Sequence, residues 1–130
     1  MEFAVETYSR ECFVEVTDWV SKIVEESGVR EGLCLVYVPH TTCGLTVNEN
    51  ADPDVVKDIL KSLGDIVKDI GFRHSEGNSI AHVKSSLMGC NQTFPVENGK
   101  IVLGTWQGVY LTEFDGPRKR KVKVEVIGSL

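Results

Sequence analysis

The chain has 130 residues, is 42% hydrophobic and 25% charged, and sets 14 basic against 19 acidic residues for a formal net charge of −5. That is one compact domain with an ordinary globular balance, which excludes disorder, collagen-like chains and coiled-coil arrays. No apolar run approaches the roughly 18 residues of a membrane span, Met1-Glu-Phe-Ala-Val-Glu lacks the basic start and long apolar stretch of a secretory signal, and the negative charge argues against bulk attraction to nucleic acid or membrane.

The four cysteines, Cys12, Cys34, Cys43 and Cys90, contain no CxxC pair and read as reduced thiols of a cytoplasmic protein, with Cys34 a core residue. Phe3-Ala4-Val5 and Phe13-Val14-Glu15-Val16 read as strands around a polar Ser9-Arg10-Glu11 break, the pattern of a hairpin. Thr17 or Asp18 caps a helix whose apolar face is Trp19, Val20, Ile23 and Val24, and Gly28 ends it. Leu33 to Val38 is continuously apolar, which suits a central strand covered on both faces. Extended structure resumes at Cys43 to Val47.

Asp52-Pro53 starts a second helix with Val55, Val56, Ile59, Leu60, Leu63 and Val67 at helical spacing. Phe72 to Ser79 is loop, and Ile80, Val83 and Leu87 form a short third helix ending at Gly89. The remainder is β: Thr93 to Val96, a Glu97-Asn98-Gly99 turn, Lys100 to Phe114, an Asp115-Gly116 turn, and Arg118 to Ile127. Strands outnumber helices without alternating regularly with them. The fold class is therefore α+β, a single domain built on a largely antiparallel sheet or sandwich with two main helices and a short third.

Four stretches carry candidate chemistry. His40-Thr-Thr-Cys-Gly-Leu-Thr-Val-Asn-Glu-Asn supplies an imidazole, a thiol that is nucleophilic only as thiolate, and Glu49, which with Asp52 and Asp54 can hold a hard cation. The same acids suit a helix start, and Cys43 suits plain packing. Arg73-His-Ser-Glu-Gly-Asn-Ser-Ile-Ala-His-Val-Lys-Ser-Ser holds the other two histidines. His40, His74 and His82 are the candidate ligands of a three-nitrogen metal site, while amides after Gly77 with Lys84 and Ser85 are candidates for phosphate, and Asn78 or Ser79 for a helix cap. Gly104-Thr-Trp-Gln-Gly places Gln107 beside a tryptophan that a β-bulge would carry into the core. In Arg118-Lys-Arg-Lys-Val-Lys-Val-Glu-Val, the lysines occupy a solvated face, whereas Arg118 and Arg120 share the phase of Val122, Val124 and Val126. An inward arginine needs a partner, either an internal carboxylate such as Glu113 or a ligand phosphate.

Together these segments resemble the YjbQ family nearly end to end. The matching stretches run from His40 through Glu49 to Val55, from His74 through His82 and Lys84 to Gly89, and from Gly104 through Trp106 and Asp115 to Arg120. The resemblance implies a jelly-roll-like β-sandwich, a homotrimer, and a polar pocket near a subunit boundary holding His40, His74, His82 and Glu49. It also implies a weak, secondary thiamine-phosphate synthase activity that joins a pyrimidine pyrophosphate to a thiazole phosphate and releases pyrophosphate. Cys43 stands where the family carries a small residue, which counts against an essential thiol.

On that view Arg118, Arg120 and Lys84 bind phosphate, with Ser85 as a donor and Gln107 nearby. Glu49 and Asp52 hold a divalent cation, zinc or magnesium, and His82 moves a proton. The partner is a small phosphorylated metabolite. The alternatives are a metal-dependent hydrolase on the three histidines and a non-catalytic phosphometabolite-binding module.

Overall fold

The computed structural model describes residues 1–129. In chain order they form β1 (Glu2–Glu6), β2 (Cys12–Glu15), α1 (Thr17–Glu26), β3 (Gly32–Tyr37), β4 (Cys43–Glu49), α2 (Pro53–Ile66), α3 (Ser79–Met88), β5 (Asn91–Glu97), β6 (Lys100–Ile101), β7 (Gln107–Glu113) and β8 (Lys119–Gly128). One sheet has five strands in the order β1-β8-β3-β5-β6, the other three in the order β2-β7-β4, and every pairing is antiparallel. The α+β expectation holds, with one adjustment. At ten residues α3 is as long as α1, and the side it buries is Ala81, Lys84 and Ser85, while Val83 and Leu87 of the apolar periodicity lie exposed.

The two sheets share a core because their strands alternate. Val122 and Val124 of β8, Cys34 and Val36 of β3, and Phe94 and Val96 of β5 face Leu45 of β4 and Val109 and Leu111 of β7. Val20 and Val24 of α1 join them from the side. Each such fully buried aliphatic side chain stabilises the fold by roughly 1.5–3 kcal/mol in transfer terms. The opposite face of the three-stranded sheet is covered by helices: Phe13, Tyr110 and Phe114 pack with Leu63 of α2 and Ala81 of α3. Among the described residues no helix is long and apolar enough to cross a membrane.

Three local expectations are corrected. β1 and β2 do not form a hairpin: β1 pairs with β8 and β2 with β7, so the Ser9-Arg10-Glu11 break carries the chain from one sheet to the other. The strand covered on both faces is β7, buried from Gly108 to Glu113, and not β3, whose Leu33, Leu35 and Tyr37 lie on an uncovered outer face. Lys100 to Phe114 is also not continuous. It breaks between β6 and β7, and Trp106 sits in that break, 62% exposed instead of in the core. Gly108 of the same motif answers a steric demand, since a Cβ there would lie 2.8 Å from Asn50 Cβ and 2.8 Å from a Glu15 carboxylate oxygen. The Asn98-Gly99 turn forms as read, with both residues at positive φ (53° and 77°), the conformation of a tight two-residue hairpin loop.

Candidate functional site

The inward phase of β8 carries Arg120 into the space between the sheets, where β7 delivers Glu113. Both are essentially sealed from solvent. Arg120 grips the carboxylate with two nitrogens: Nε donates to Oε1 at 2.9 Å and Nη2 to Oε2. Thr7 donates its hydroxyl to Oε1 at 2.8 Å, and the Asp115 amide donates to Oε2 at 3.1 Å. Burial pushes the Glu113 carboxyl up, but the hydrogen bonds from Arg120, Thr7 and Asp115 outweigh it, and the net pKa lies below the ordinary value. For Arg120 burial opposes the charge, and the bond to Glu113 more than restores it. Of the two partners weighed for an inward arginine, the internal carboxylate occupies it. Arg120 is therefore committed to the fold and not free to bind substrate.

Lys84 and Ser85 are likewise engaged internally. Lys84 is buried and donates to Glu11 at 2.7 Å, and the Ser85 hydroxyl donates to the Cys43 carbonyl at 2.7 Å, fastening α3 to β4. Cys43 is fully buried and its thiol is pushed up to about 12, chiefly by burial, so it is no nucleophile near neutral pH. Arg118 is the exception among the predicted phosphate ligands. Its side chain is 49% exposed, and its guanidinium meets Asp115 at 3.0 Å without leaving solvent. It lies just before β8 begins, so the inward phase that captures Arg120 does not extend to it.

The histidines fall in two places. His74 and His82 meet edge to face with ring centroids 5.4 Å apart, in an open cavity of about 450 Å³ lined also by Phe72, Arg73, Ser79 and Val83. His74 Nδ1 lies 3.2 Å from the Ser79 hydroxyl. His40 does not line that cavity. Its Nε2 accepts the Lys121 backbone N–H at 2.9 Å, and burial together with the positive charges of Arg120 and Arg118 holds its pKa below the usual value. Among the described residues no three His, Cys, Asp or Glu side chains converge as a metal ion requires, so the three imidazoles do not form one metal site within a chain. Glu49, at the end of β4, stands near Tyr110, whose hydroxyl donates to the Glu49 carbonyl at 3.1 Å. Asp52 caps α2 by accepting the Asp54 amide at 2.9 Å, and Gln107 folds back to accept the Gly104 amide at 2.8 Å. A larger cavity, about 560 Å³, is lined by Glu15, Asp18, Trp19 and Lys22 and contains none of the predicted residues.

Residues 1–129 match the family model described as UPF0047 protein YjbQ-like. The chain belongs to the YjbQ family. It is 48% identical to UPF0047 protein MJ1081 of Methanocaldococcus jannaschii, covering 98% of this chain and 94% of that one, and 45% identical to YugU of Bacillus subtilis, covering 95% and 96%. A crystal structure of a YjbQ/UPF0047 protein from Clostridium acetobutylicum is 53% identical with a TM-score of 0.94, over 98% of this chain and 99% of that one. A YjbQ-like protein from Sulfolobus solfataricus, described as of unknown function, is 35% identical with a TM-score of 0.95, over 99% and 96%.

Within this YjbQ chain, sequence reasoning missed Thr7 and Thr42. Thr42 accepts Arg120 Nη2 at 2.8 Å, and its carbonyl accepts the Phe114 amide at 3.2 Å. Nothing in their local sequence marks them, because their role is to complete a pair whose members lie 78 and 106 residues away. Asp115 is a third: its carboxylate takes both Arg118 and the Asn78 amide nitrogen, the latter at 2.9 Å.

Proposed function

We propose that this YjbQ-family protein binds a small phosphorylated metabolite, with Arg118 as its anchor. The observation that carries this reading is selective availability. Of the three cations predicted to bind phosphate, Arg120 and Lys84 are buried against Glu113 and Glu11, while the Arg118 guanidinium, which bonds Asp115 through Nε and Nη2, stays half exposed. Guanidinium groups grip phosphate oxygens through charge-assisted, paired hydrogen bonds, and a chain of net charge −5 needs such a local group to hold a polyanion. The thiamine-phosphate synthase activity implied by the family resemblance suits this anchor, since the group leaving in that reaction is a pyrophosphate whose charge must be stabilised. Calorimetric titration with inorganic pyrophosphate tests the reading. Binding that weakens in Arg118→Ala and persists in Lys119→Ala supports it, and equal effects of the two refute it. Thiamine phosphate formed above a protein-free control from the pyrimidine pyrophosphate and thiazole phosphate would add turnover to binding.

We also propose the homotrimer. The uncovered face of the five-stranded sheet, where Leu33, Leu35, Tyr37 and Ile127 are exposed beside Lys123 and Glu125, supports assembly of copies, because exposed apolar side chains rimmed by polar ones mark interaction surfaces. Light scattering at three times the 14.4 kDa chain mass is the expected result, and the chain mass itself refutes it.

A further inference from the structure

We propose that His40 is held as the Nδ1–H tautomer, a fixed hydrogen-bond donor toward an anionic oxygen and not a metal ligand, and that the Glu113–Arg120 pair is the device that positions it. The proposal rests partly on the anion-binding reading above, and partly on hydrogen-bond chemistry that is independent of it.

A neutral imidazole carries one N–H and one lone pair. A peptide N–H can only donate. With the Lys121 N–H aimed at Nε2 from 2.9 Å, the lone pair is on Nε2 and the proton is on Nδ1. Among the described residues no hydrogen bond occupies Nδ1. A metal ion at Nδ1 would drive the proton to Nε2 and set two donors face to face, so coordination and the Lys121 bond exclude each other. An oxygen acceptor at Nδ1 keeps both. The Arg120 guanidinium, bonded to Thr42 in the same loop, and more weakly Arg118 set a positive field at the imidazole that favours an anion over a cation in this position.

The same two residues of β8 secure both ends of the loop that carries the imidazole. Lys121 holds His40 through its backbone, and Arg120 holds Thr42 through Nη2 at 2.8 Å, while the Phe114 N–H fixes the Thr42 carbonyl at 3.2 Å. Arg120 is in turn locked to Glu113 by two bonds, so the guanidinium cannot swing away from Thr42. This gives a buried pair a task in the site without its touching a ligand. Glu113, Arg120 and Thr42 are positioning residues.

Long-range proton–nitrogen correlation spectra of histidine-labelled protein at pH 7.5 read the tautomer directly, with His40 assigned by its loss in His40→Gln. The expected result is a protonated Nδ1 and a bare Nε2, unchanged by added zinc. An Nε2–H tautomer, or a zinc-induced shift of the His40 nitrogens, overturns the inference. Thr42→Val removes the hydroxyl and keeps the shape. It is expected to give averaged tautomer signals, and Thr42→Ser to restore the single state. A Thr42→Val spectrum identical to wild type overturns the positioning role. Inorganic pyrophosphate is expected to shift the His40 Nδ1 signal, with about tenfold or greater weakening in Arg118→Ala. A locked tautomer that ignores pyrophosphate would refute the proposed function while leaving the tautomer assignment standing.

Discussion

At the scale of single residues, the dominant feature is a carboxylate and a guanidinium enclosed between two apolar sheets. Such a pair contributes little net stability against a well-packed apolar alternative, but removing one member strands the other charge. Glu113→Ala is therefore expected to lower unfolding free energy by about 3–5 kcal/mol in urea titrations; a loss under about 1 kcal/mol would mean that solvent reaches Arg120. The thiols give a second prediction. Cys12, Cys34 and Cys43 are buried and Cys90 is exposed. Burial also pushes the Cys34 thiol to about 11. A thiol-reactive dye should label Cys90 alone in the folded protein, and rapid labelling of Cys43 would contradict the packing. The inward phase of Arg120 was legible from the alternation Arg120, Val122, Val124, Val126, but its partner was not: the sequence left Glu113 and a ligand phosphate open, and Arg120 was assigned to phosphate. Nor was the engagement of Lys84 legible: the sequence offered it for phosphate, and only the fold brings Glu11 to it across 73 residues.

At the scale of elements, legibility followed the locality of the cause. The start of α2 was readable because Asp52 and Pro53 act within one turn, and Asp52→Ala should cost about 1 kcal/mol of stability, measured by thermal or urea unfolding. The β5–β6 turn was readable because Asn98 and Gly99 tolerate positive φ. Covered and uncovered faces were not readable, since they depend on which layer lies above a strand. The continuous apolar run of β3 suggested two covered faces, yet its outer face is bare, whereas the more mixed β7 is enclosed by the five-stranded sheet on one side and by α2 and α3 on the other. The break at Trp106 was missed for a related reason. Glycines on both sides of an aromatic suit a bulge as well as a turn, and only the close approach of Asn50 and Glu15 to Gly108 explains that second glycine. Gly108→Ala should accordingly destabilise the fold by about 1–3 kcal/mol in urea unfolding, the usual range for forced overpacking, and an unaffected variant would show that Asn50 gives way freely.

For the molecule as a whole, acid is the expected weakness. Glu113 and His40 both have folded pKa values below their ordinary ones, 4.5 and 6.5. The folded state thus binds fewer protons than the unfolded chain, and stability is complete above those ordinary values. It should decline first as pH drops below 6.5, through His40, and again below 4.5, through Glu113. A urea midpoint constant from pH 7 to pH 4 would contradict this. The strand order has a further consequence, during synthesis. β8 lies between β1 and β3 in the five-stranded sheet, yet its residues are the last of the described strands to leave the ribosome. β1 must therefore wait without a neighbour while more than a hundred residues are added, roughly 5–25 s at ordinary elongation rates. Through that interval Phe3, Ala4 and Val5 offer an unpaired strand to any nascent chain nearby, so crowded polysomes, more than dilute refolding, are where this protein is most exposed to mispairing.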